Sequence, residues 1–276
     1  MILDGKNLAK QIKLDFKQLV LDKQIVGKVG LAFVLVGDDE ASQIYVNNKV
    51  KACHSIGVRS FVHKFESNVR EQTVSNLIDD LNADQNVHGI LVQLPLPSHI
   101  DSQRIINKIK YDKDVDGLSQ HNVFGLMKGL DCLIPCTPQG ILKLIQTTNI
   151  DLVGKHAVVI GRSDIVGKPM SQLLLQSNCT VTVCHSKTSN LASLTKLADI
   201  LIVAVGKKHL INRTHVKPNS IVIDVGINRV GDKLYGDVDF ESVKDMVDWI
   251  TPVPGGVGPM TIAMLISNVL KAGKVY

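Results

Sequence analysis

Apolar runs alternate with amphipathic segments along the first half of the chain. Gly30–Gly37 and His88–Pro97 are apolar runs typical of buried strands, and Ala41–Gly57 has a helical period and ends in glycine. Residues 60–65 predict a further strand and residues 71–81 a further helix. This β-α-β-α-β order predicts a mostly parallel sheet with helices on its faces.

A second alternation begins near Leu152 and has the doubly wound pattern. It predicts a strand at 156–160, a helix at 166–176 and a helix near 190–197, with strands in TVTVCHS, DILIVAVG and SIVIDVGIN. The segment PCTPQGIL lies between the two alternations and reads as a proline-marked helix start at a domain crossing. The final segment, GPMTIAMLISNVLKAGK, predicts an amphipathic helix that can pack on either domain.

Composition narrows the class of protein. The 276 residues are 45% hydrophobic with a net charge of +5, and the basic residues are scattered, which argues against nucleic acid as a partner. No apolar run approaches 18 residues, so no membrane span is expected. The five cysteines are odd in number and include no C-x-x-C pair, which predicts reduced thiols in a cytoplasmic protein and no metal site.

Tyr45 and Lys49 are the first candidates for chemistry. Their i, i+4 spacing places them on one helix face, and the helix begins where the strand before it ends. Such pairs are commonly surface residues with snorkelling side chains, but open α/β sheets bind ligands at the carboxyl ends of their strands.

Two more polar positions follow the third apolar run. Gln93 precedes LPLP at a strand end, and either caps a buried strand or faces a ligand. Asp116 lies in DKDVDG, which either forms a plain turn or presents a carboxylate to paired N–H donors. The segment lacks the full calcium-loop spacing.

A strand-turn-helix in the second half, AVVIGRSDIVGKPM, is typical of a phosphate cradle, although Arg162 replaces the middle glycine of the dinucleotide fingerprint. The next strand ends in CHSKT, without the acid that NAD enzymes place there to hold the ribose. Arg162 together with Ser186 therefore suits the 2′-phosphate of NADP. Further on, TPVPGGVGPMT is either a structural loop or a ligand wall before a helix.

Eight segments occur in the same order as in one enzyme family. They are S-x-x-Y-x-x-x-K, VQLPLP, KDVDG, PCTPQG, GRSDIVGKPM, CHSKT, DVGINR and PGGVGPMT. The chain resembles the bifunctional methylenetetrahydrofolate dehydrogenase/cyclohydrolase family over essentially its whole length. A dinucleotide-sensing module is the alternative from another class, and it would bind the cofactor without turnover. A dehydrogenase of the shikimate or glutamyl-tRNA reductase kind would not account for the first-half motifs together.

The resemblance implies an α/β fold of two domains with a cleft between them. Residues 1–139, joined by the C-terminal helix 259–276, would form the folate-binding catalytic domain, and residues 140–258 the Rossmann-like NADP-binding domain. It further implies a cytoplasmic homodimer that pairs through the nucleotide domain.

The resemblance also implies two reactions and the residues that serve them. The first is oxidation of 5,10-methylenetetrahydrofolate by NADP to the methenyl form, and the second is hydrolysis of that product to 10-formyltetrahydrofolate. Lys49 would be the essential lysine and Gln93 its hydrogen-bond partner, while Tyr45 would stack on the pterin and Asp116 bind its amino-pyrimidine edge. The remaining positions bind the dinucleotide (Gly161, Arg162, Ser163, Ser186 and Ile227) or the folate (Pro254, Gly255 and Gly256).

Overall fold

The computed structural model describes residues 1–276, which divide into two compact units. The three-stranded unit comprises Gln11–Pro135 and Ile262–Tyr276, and the five-stranded unit comprises Met1–Lys10 and Cys136–Thr261. Two helices, α1 (Gly5–Asp22) and α10 (Val257–Ala272), have residues in both units. No helix is both long and apolar enough to cross a membrane.

The three-stranded unit contains a parallel sheet in the order β2-β1-β3. Every residue of the central strand, GLAFVLV, is buried, as expected for a strand covered on both faces. The edge strand β2 contains only exposed and partly buried residues instead. The strands are β1 (Gly30–Val36), β2 (Arg59–Phe65) and β3 (Gly89–Val92), and the helices are α2 (Glu40–Ser55), α3 (Glu71–Ala83), α4 (Ser102–Lys108) and α5 (Gln120–Lys128).

The five-stranded unit contains a parallel sheet in the order β10-β7-β6-β4-β5 and a separate antiparallel hairpin, β8–β9. Its core is dominated by the aliphatic residues of the inner strands. Its strands are β4 (His156–Ile160), β5 (Thr180–Cys184), β6 (Ile200–Val203), β7 (Ile221–Asp224), β8 (Asn228–Val230), β9 (Lys233–Tyr235) and β10 (Trp249–Ile250). Its helices are α6 (Cys136–Gln146), α7 (Gly167–Gln176), α8 (Leu191–Thr195) and α9 (Phe240–Val243).

The α/β class with parallel sheets is confirmed, and one strand prediction is wrong. Residues 220–228 were expected to form one strand, but β7 stops at Asp224 and a new strand begins at Asn228. The cause is local, because the Asp224 carboxylate accepts a hydrogen bond from the Gly226 N–H at 3.1 Å, and this closes a turn.

Candidate active site

Lys49 lies on the buried side of α2. The helix begins after β1, where the Asp39 carboxylate caps it by accepting a hydrogen bond from the Ser42 N–H at 2.8 Å. Ser42, Val46 and Cys53 are its buried residues, and Lys49 lies on the same face, one turn after Val46 and one turn before Cys53. A half-buried lysine within such a stripe needs a polar partner.

Gln93 provides that partner at the carboxyl end of β3. The Lys49 Nζ donates to the Gln93 Oε1 at 3.1 Å, and the Gln93 Nε2 donates to the Leu94 carbonyl oxygen at 2.7 Å. The backbone N–H of Gln93 donates to the Val34 oxygen at 2.9 Å, which ties the residue to the central strand. The bond from the Gln93 Nε2 to Leu94 fixes the orientation of the side-chain amide, so that the amide oxygen faces Lys49.

Tyr45 precedes Lys49 by one helical turn and is 44% exposed. Nearly half of the residue is therefore accessible to another molecule. Its pterin-stacking role stays a prediction.

Asp116 is carried by a turn that other buried groups hold. The Asp114 carboxylate, 1% exposed, accepts hydrogen bonds from the N–H groups of Gly117 at 3.1 Å and Ser119 at 2.7 Å, and from the Asn122 Nδ2 at 2.9 Å. Of the two carboxylates in KDVDG, Asp114 therefore builds the turn, while Asp116 is half-buried.

The turn also lies against β3. Ile90 and Asp114 form a parallel bridge, so the chain from Asp114 to Asp116 runs toward the same sheet edge as Gln93. From the other side, the Asn268 Nδ2 donates to the Val115 oxygen at 2.8 Å. Asp116 thus reaches the same carboxyl edge of the sheet as the Lys49–Gln93 pair, which fits its predicted role.

Cys53 is the thiol nearest to this pair on α2, and its surroundings make it unreactive. Burial raises the pKa of the Cys53 thiol to about 12, although Ser60 and the charge of Lys49 act in the opposite direction. The neutral thiol is a packing group under Lys49, because the thiolate is the nucleophilic form.

The glycine turn after β4 lies where the strand order of the five-stranded sheet reverses. β4 pairs with β5 on one side and with β6 on the other, which is the position at which doubly wound sheets bind ligands. Gly161 has φ +123°, and a Cβ there would lie 2.3 Å from the Ala204 oxygen. A Cβ on Gly167 would lie 2.2 Å from the Gly161 oxygen, so both glycines are needed for close backbone packing.

Arg162 and Ser186 each lie two residues beyond the end of neighbouring strands. Ile160 pairs with Cys184, the Gly161 N–H donates to the Cys184 oxygen at 2.9 Å, and both Arg162 and Ser186 are exposed. This register brings a guanidinium and a hydroxyl to one rim.

Ser163, in the same turn, binds the backbone at the start of α7. Its Oγ accepts a hydrogen bond from the Val166 N–H at 3.2 Å and one from the Gly167 N–H at 3.4 Å. The turn also contains an acid, Asp164, whose charge is offset by an ion pair with Lys168.

Ile227 and the glycine-rich loop line one cavity of about 140 Å³ within the five-stranded unit. Its wall includes Ile227, which is 48% exposed, together with Pro254, Gly255 and Gly256. Predicted cofactor and folate positions therefore meet in one place. No cluster of His, Cys, Asp or Glu in residues 1–276 is arranged to hold a metal ion.

Comparison with known proteins gives two family matches that together span most of the chain. Residues 3–116 match the model described as "Tetrahydrofolate dehydrogenase/cyclohydrolase, catalytic domain". Residues 135–276 match the model described as "Tetrahydrofolate dehydrogenase/cyclohydrolase, NAD(P)-binding domain".

Full-length relatives and solved structures agree with these matches. The "Bifunctional protein FolD" of Campylobacter hominis is 53% identical over 275 residues, covering 99% of this chain and 97% of the relative. The crystal structure of the bifunctional FolD enzyme from Campylobacter jejuni has a TM-score of 0.97 at 48% identity, covering 99% of this chain and 98% of that one. The Trypanosoma brucei FolD enzyme, solved with NADP cofactor and inhibitor, has a TM-score of 0.95 at 36% identity, covering 99% and 97%.

Proposed function

Because the chain belongs to the tetrahydrofolate dehydrogenase/cyclohydrolase family, we propose that it catalyses two consecutive reactions of folate one-carbon metabolism. The first is NADP-dependent oxidation of 5,10-methylenetetrahydrofolate to 5,10-methenyltetrahydrofolate. The second is hydrolysis of that product to 10-formyltetrahydrofolate. The observation that carries the proposal is the Lys49–Gln93 hydrogen bond at the strand edge that Asp116 also reaches.

The five-stranded unit fits a dinucleotide with a 2′-phosphate. A pyrophosphate fits at the start of α7, because helix N-termini attract anions and the glycines at positions 161 and 167 have no side chains. Arg162 and Ser186 offer a charge-assisted bond and a hydroxyl to the extra phosphate. When bound, NADP supplies the acceptor for the hydride that leaves the folate.

In the oxidation, the protein's part is orientation. Loss of hydride from the methylene carbon leaves an amidinium cation, so this step requires no base. Asp116 is proposed to accept two parallel N–H bonds from the 2-amino-pyrimidinone edge, and the exposed Tyr45 ring to stack on the pterin. Each contact fixes the reacting carbon without taking part in bond breaking.

In the hydrolysis, a proton must move. Water adds its oxygen to the amidinium carbon and loses one proton. The bond from that carbon to one ring nitrogen then breaks as the nitrogen gains a proton and the new hydroxyl loses its remaining proton to become the formyl C=O, so one proton in all is released to solvent. We assign the taking and returning of a proton to the Lys49 amine, and its 3.1 Å hydrogen bond to Gln93 supports this role. Proton transfer by a positioned group contributes roughly 10²–10⁴-fold.

The division of labour between chain segments is part of the proposal. We assign folate binding and proton transfer to residues 1–139 with the helix 259–276, and dinucleotide binding to residues 140–258. The cavity shared by Ile227 and Pro254–Gly256 supports a contribution of the glycine-rich loop to the folate site.

A homodimer in the cytoplasm completes the proposal. The terminal strand β5 supports pairing through the five-stranded unit, because its outer edge has no partner strand and its Val183 is 42% exposed. Sedimentation velocity tests this, with a single species of twice the chain mass expected and a monomer at all concentrations contradicting it.

One time course tests the two activities. The purified protein is incubated with 5,10-methylenetetrahydrofolate and NADP while the absorbance of the methenyl product and of NADPH is followed. We expect NADPH to accumulate while the methenyl signal rises and then decays faster than in enzyme-free buffer. No NADPH would refute the dehydrogenase, and decay at the buffer rate would refute the cyclohydrolase.

A further inference from the structure

Two buried carboxylates, Asp224 and Asp237, lie beside the proposed dinucleotide site and have no role in the proposed oxidation or hydrolysis. They are 3% and 0% exposed. The Asp237 N–H donates to the Asp224 Oδ1 at 2.9 Å, so the two acids are adjacent. Burying two neighbouring carboxyl groups costs free energy unless each accepts enough hydrogen bonds.

Asp237 receives an unusually complete set of donors. Its Oδ2 accepts from the N–H groups of Val205 at 2.7 Å and Gly206 at 2.9 Å. Its Oδ1 accepts from the Lys207 N–H at 2.7 Å and from the Asn228 Nδ2 at 2.9 Å. One carboxylate therefore ties three consecutive amides of the loop after β6 to the first residue of β8.

Both tied segments adjoin predicted cofactor residues. The loop 205–207 follows Ala204, whose oxygen is the atom that a Cβ on Gly161 would strike at 2.3 Å. Asn228 directly follows Ile227, which lines the cavity of about 140 Å³. Asp237 thus links the two places where the five-stranded unit is expected to hold the dinucleotide.

Asp224 holds Asp237 in turn. Its carboxylate accepts from the N–H groups of Gly226, Asp237 and Val238 at 2.9–3.1 Å. A Cβ on Gly236 would lie 1.7 Å from the Asp224 Oδ2, and a Cβ on Gly226 would lie 2.2 Å from the Asp237 carboxylate. A side chain at either glycine would overlap one of the two carboxylates, so glycine is required at both positions.

We propose that Asp237 is a positioning residue for the dinucleotide, holding the loop 205–207 and the Ile227 turn in the arrangement that NADP requires. The inference rests on the proposed function, since it assumes that NADP binds in this unit. It goes beyond that function by assigning cofactor affinity to a residue that is itself fully buried.

The test compares Asp237→Asn with Asp239→Asn. The second variant removes the same charge two residues away, from a side chain that caps no amide of α9. Dissociation constants are measured for NADPH by its fluorescence and for tetrahydrofolate by calorimetry, at a temperature where thermal unfolding shows each variant to be folded.

An asparagine at position 237 has only one accepting oxygen. Its NH₂ group would face N–H donors that now bind the second carboxylate oxygen of Asp237. We expect Asp237→Asn to weaken NADPH about 10-fold or more, which corresponds to loss of a single charge-assisted bond, and to leave tetrahydrofolate within about 2-fold. Asp239→Asn should leave both ligands unchanged. Unchanged NADPH affinity in folded Asp237→Asn, or equal weakening of both ligands, would overturn the proposal.

A milder variant decides the matter if Asp237→Asn does not fold. Asn228→Ala removes one of the four donors and leaves the three loop amides in place, so a smaller but selective weakening of NADPH is expected. Unchanged NADPH affinity in this variant would then overturn the positioning role. Failure of the wild-type protein to bind NADPH would instead refute the proposed function itself.

Discussion

Removing the Arg162 side chain should change the choice of cofactor. In Arg162→Ala the guanidinium two residues beyond the end of β4 is lost, and with it the charge-assisted hydrogen bond that we propose it makes to the 2′-phosphate of NADP. Such bonds contribute roughly 1.5–3 kcal/mol, or about 10–150-fold in affinity. Arg162 is exposed, so water screens part of the interaction, and the expected loss lies near the lower end, at about 10-fold.

NAD has no 2′-phosphate, so its use should change little in the same variant. The assay is steady-state kinetics with each cofactor at one fixed salt concentration, reported as the ratio of kcat/KM for NADP to that for NAD. Lys155→Ala is the matched control, because it removes a positive charge just before β4, at the opposite end of the strand. An unchanged ratio in Arg162→Ala, or the same drop in Lys155→Ala, would refute the assignment.

Three further predictions address the folate site, the glycine turn and the buried acids. Asp116→Asn should weaken folate binding about 10–150-fold through loss of a charge-assisted pair and leave NADP binding unchanged, so equal losses in separate titrations would contradict the role. Gly161→Ala should lower the free energy of unfolding in urea by about 1–3 kcal/mol more than the control Gly154→Ala does. Both glycines have positive φ, but only at Gly161 would the added Cβ meet an oxygen, at 2.3 Å. Equal losses in the two variants would refute the close approach. Burial raises the pKa of Asp224 to about 7, above its unfolded value of 3.8, so the folded state holds the extra proton between these values and stability falls as pH rises through this range. Relative to Asp224→Asn, the wild type should lose about 2–3 kcal/mol of unfolding free energy between pH 5 and 7, and parallel pH profiles would contradict the raised pKa.

The strongly patterned elements could be predicted from the sequence. β1 is a continuous apolar run because it is covered on both faces, and α2 has a clear capping residue at Asp39. Strand 156–160 coincides with β4 for the same reason as β1, since its last four residues are buried. A strand that is buried on both faces consists almost entirely of apolar residues, and such a run can be recognised in the sequence.

Weakly patterned elements were missed for physical reasons. The hairpin β8–β9 is short and mostly exposed, so no apolar alternation marks it. α5 buries Asn122 and Gly125 beside Leu126, which obscures its helical period. The expected strand 220–228 failed because an aspartate at its middle closes a turn instead of continuing the sheet.

The candidate site divides in a similar way. The predicted catalytic residues are polar side chains near strand ends, where the sequence makes them visible: Gln93 directly follows β3, and Lys49 lies on the helix that follows β1. The groups that hold them are distant in sequence: Asn268 bonds to a carbonyl 153 residues away, and Asp237 to amides about 30 residues away. Within KDVDG, the sequence does not show which aspartate builds the turn, and the hydrogen bonds of the folded chain identify it as Asp114.

The central claim, that Lys49 moves the proton in hydrolysis, is tested most directly by adding 5,10-methenyltetrahydrofolate to Lys49→Ala without NADP. Lys51→Ala, an exposed lysine on the same helix, is the matched control. We predict that Lys49→Ala loses roughly 10²–10⁴-fold in cyclohydrolase rate, while Lys51→Ala retains it and Lys49→Ala keeps part of its dehydrogenase activity. A cyclohydrolase rate in Lys49→Ala within a few-fold of wild type would contradict the account.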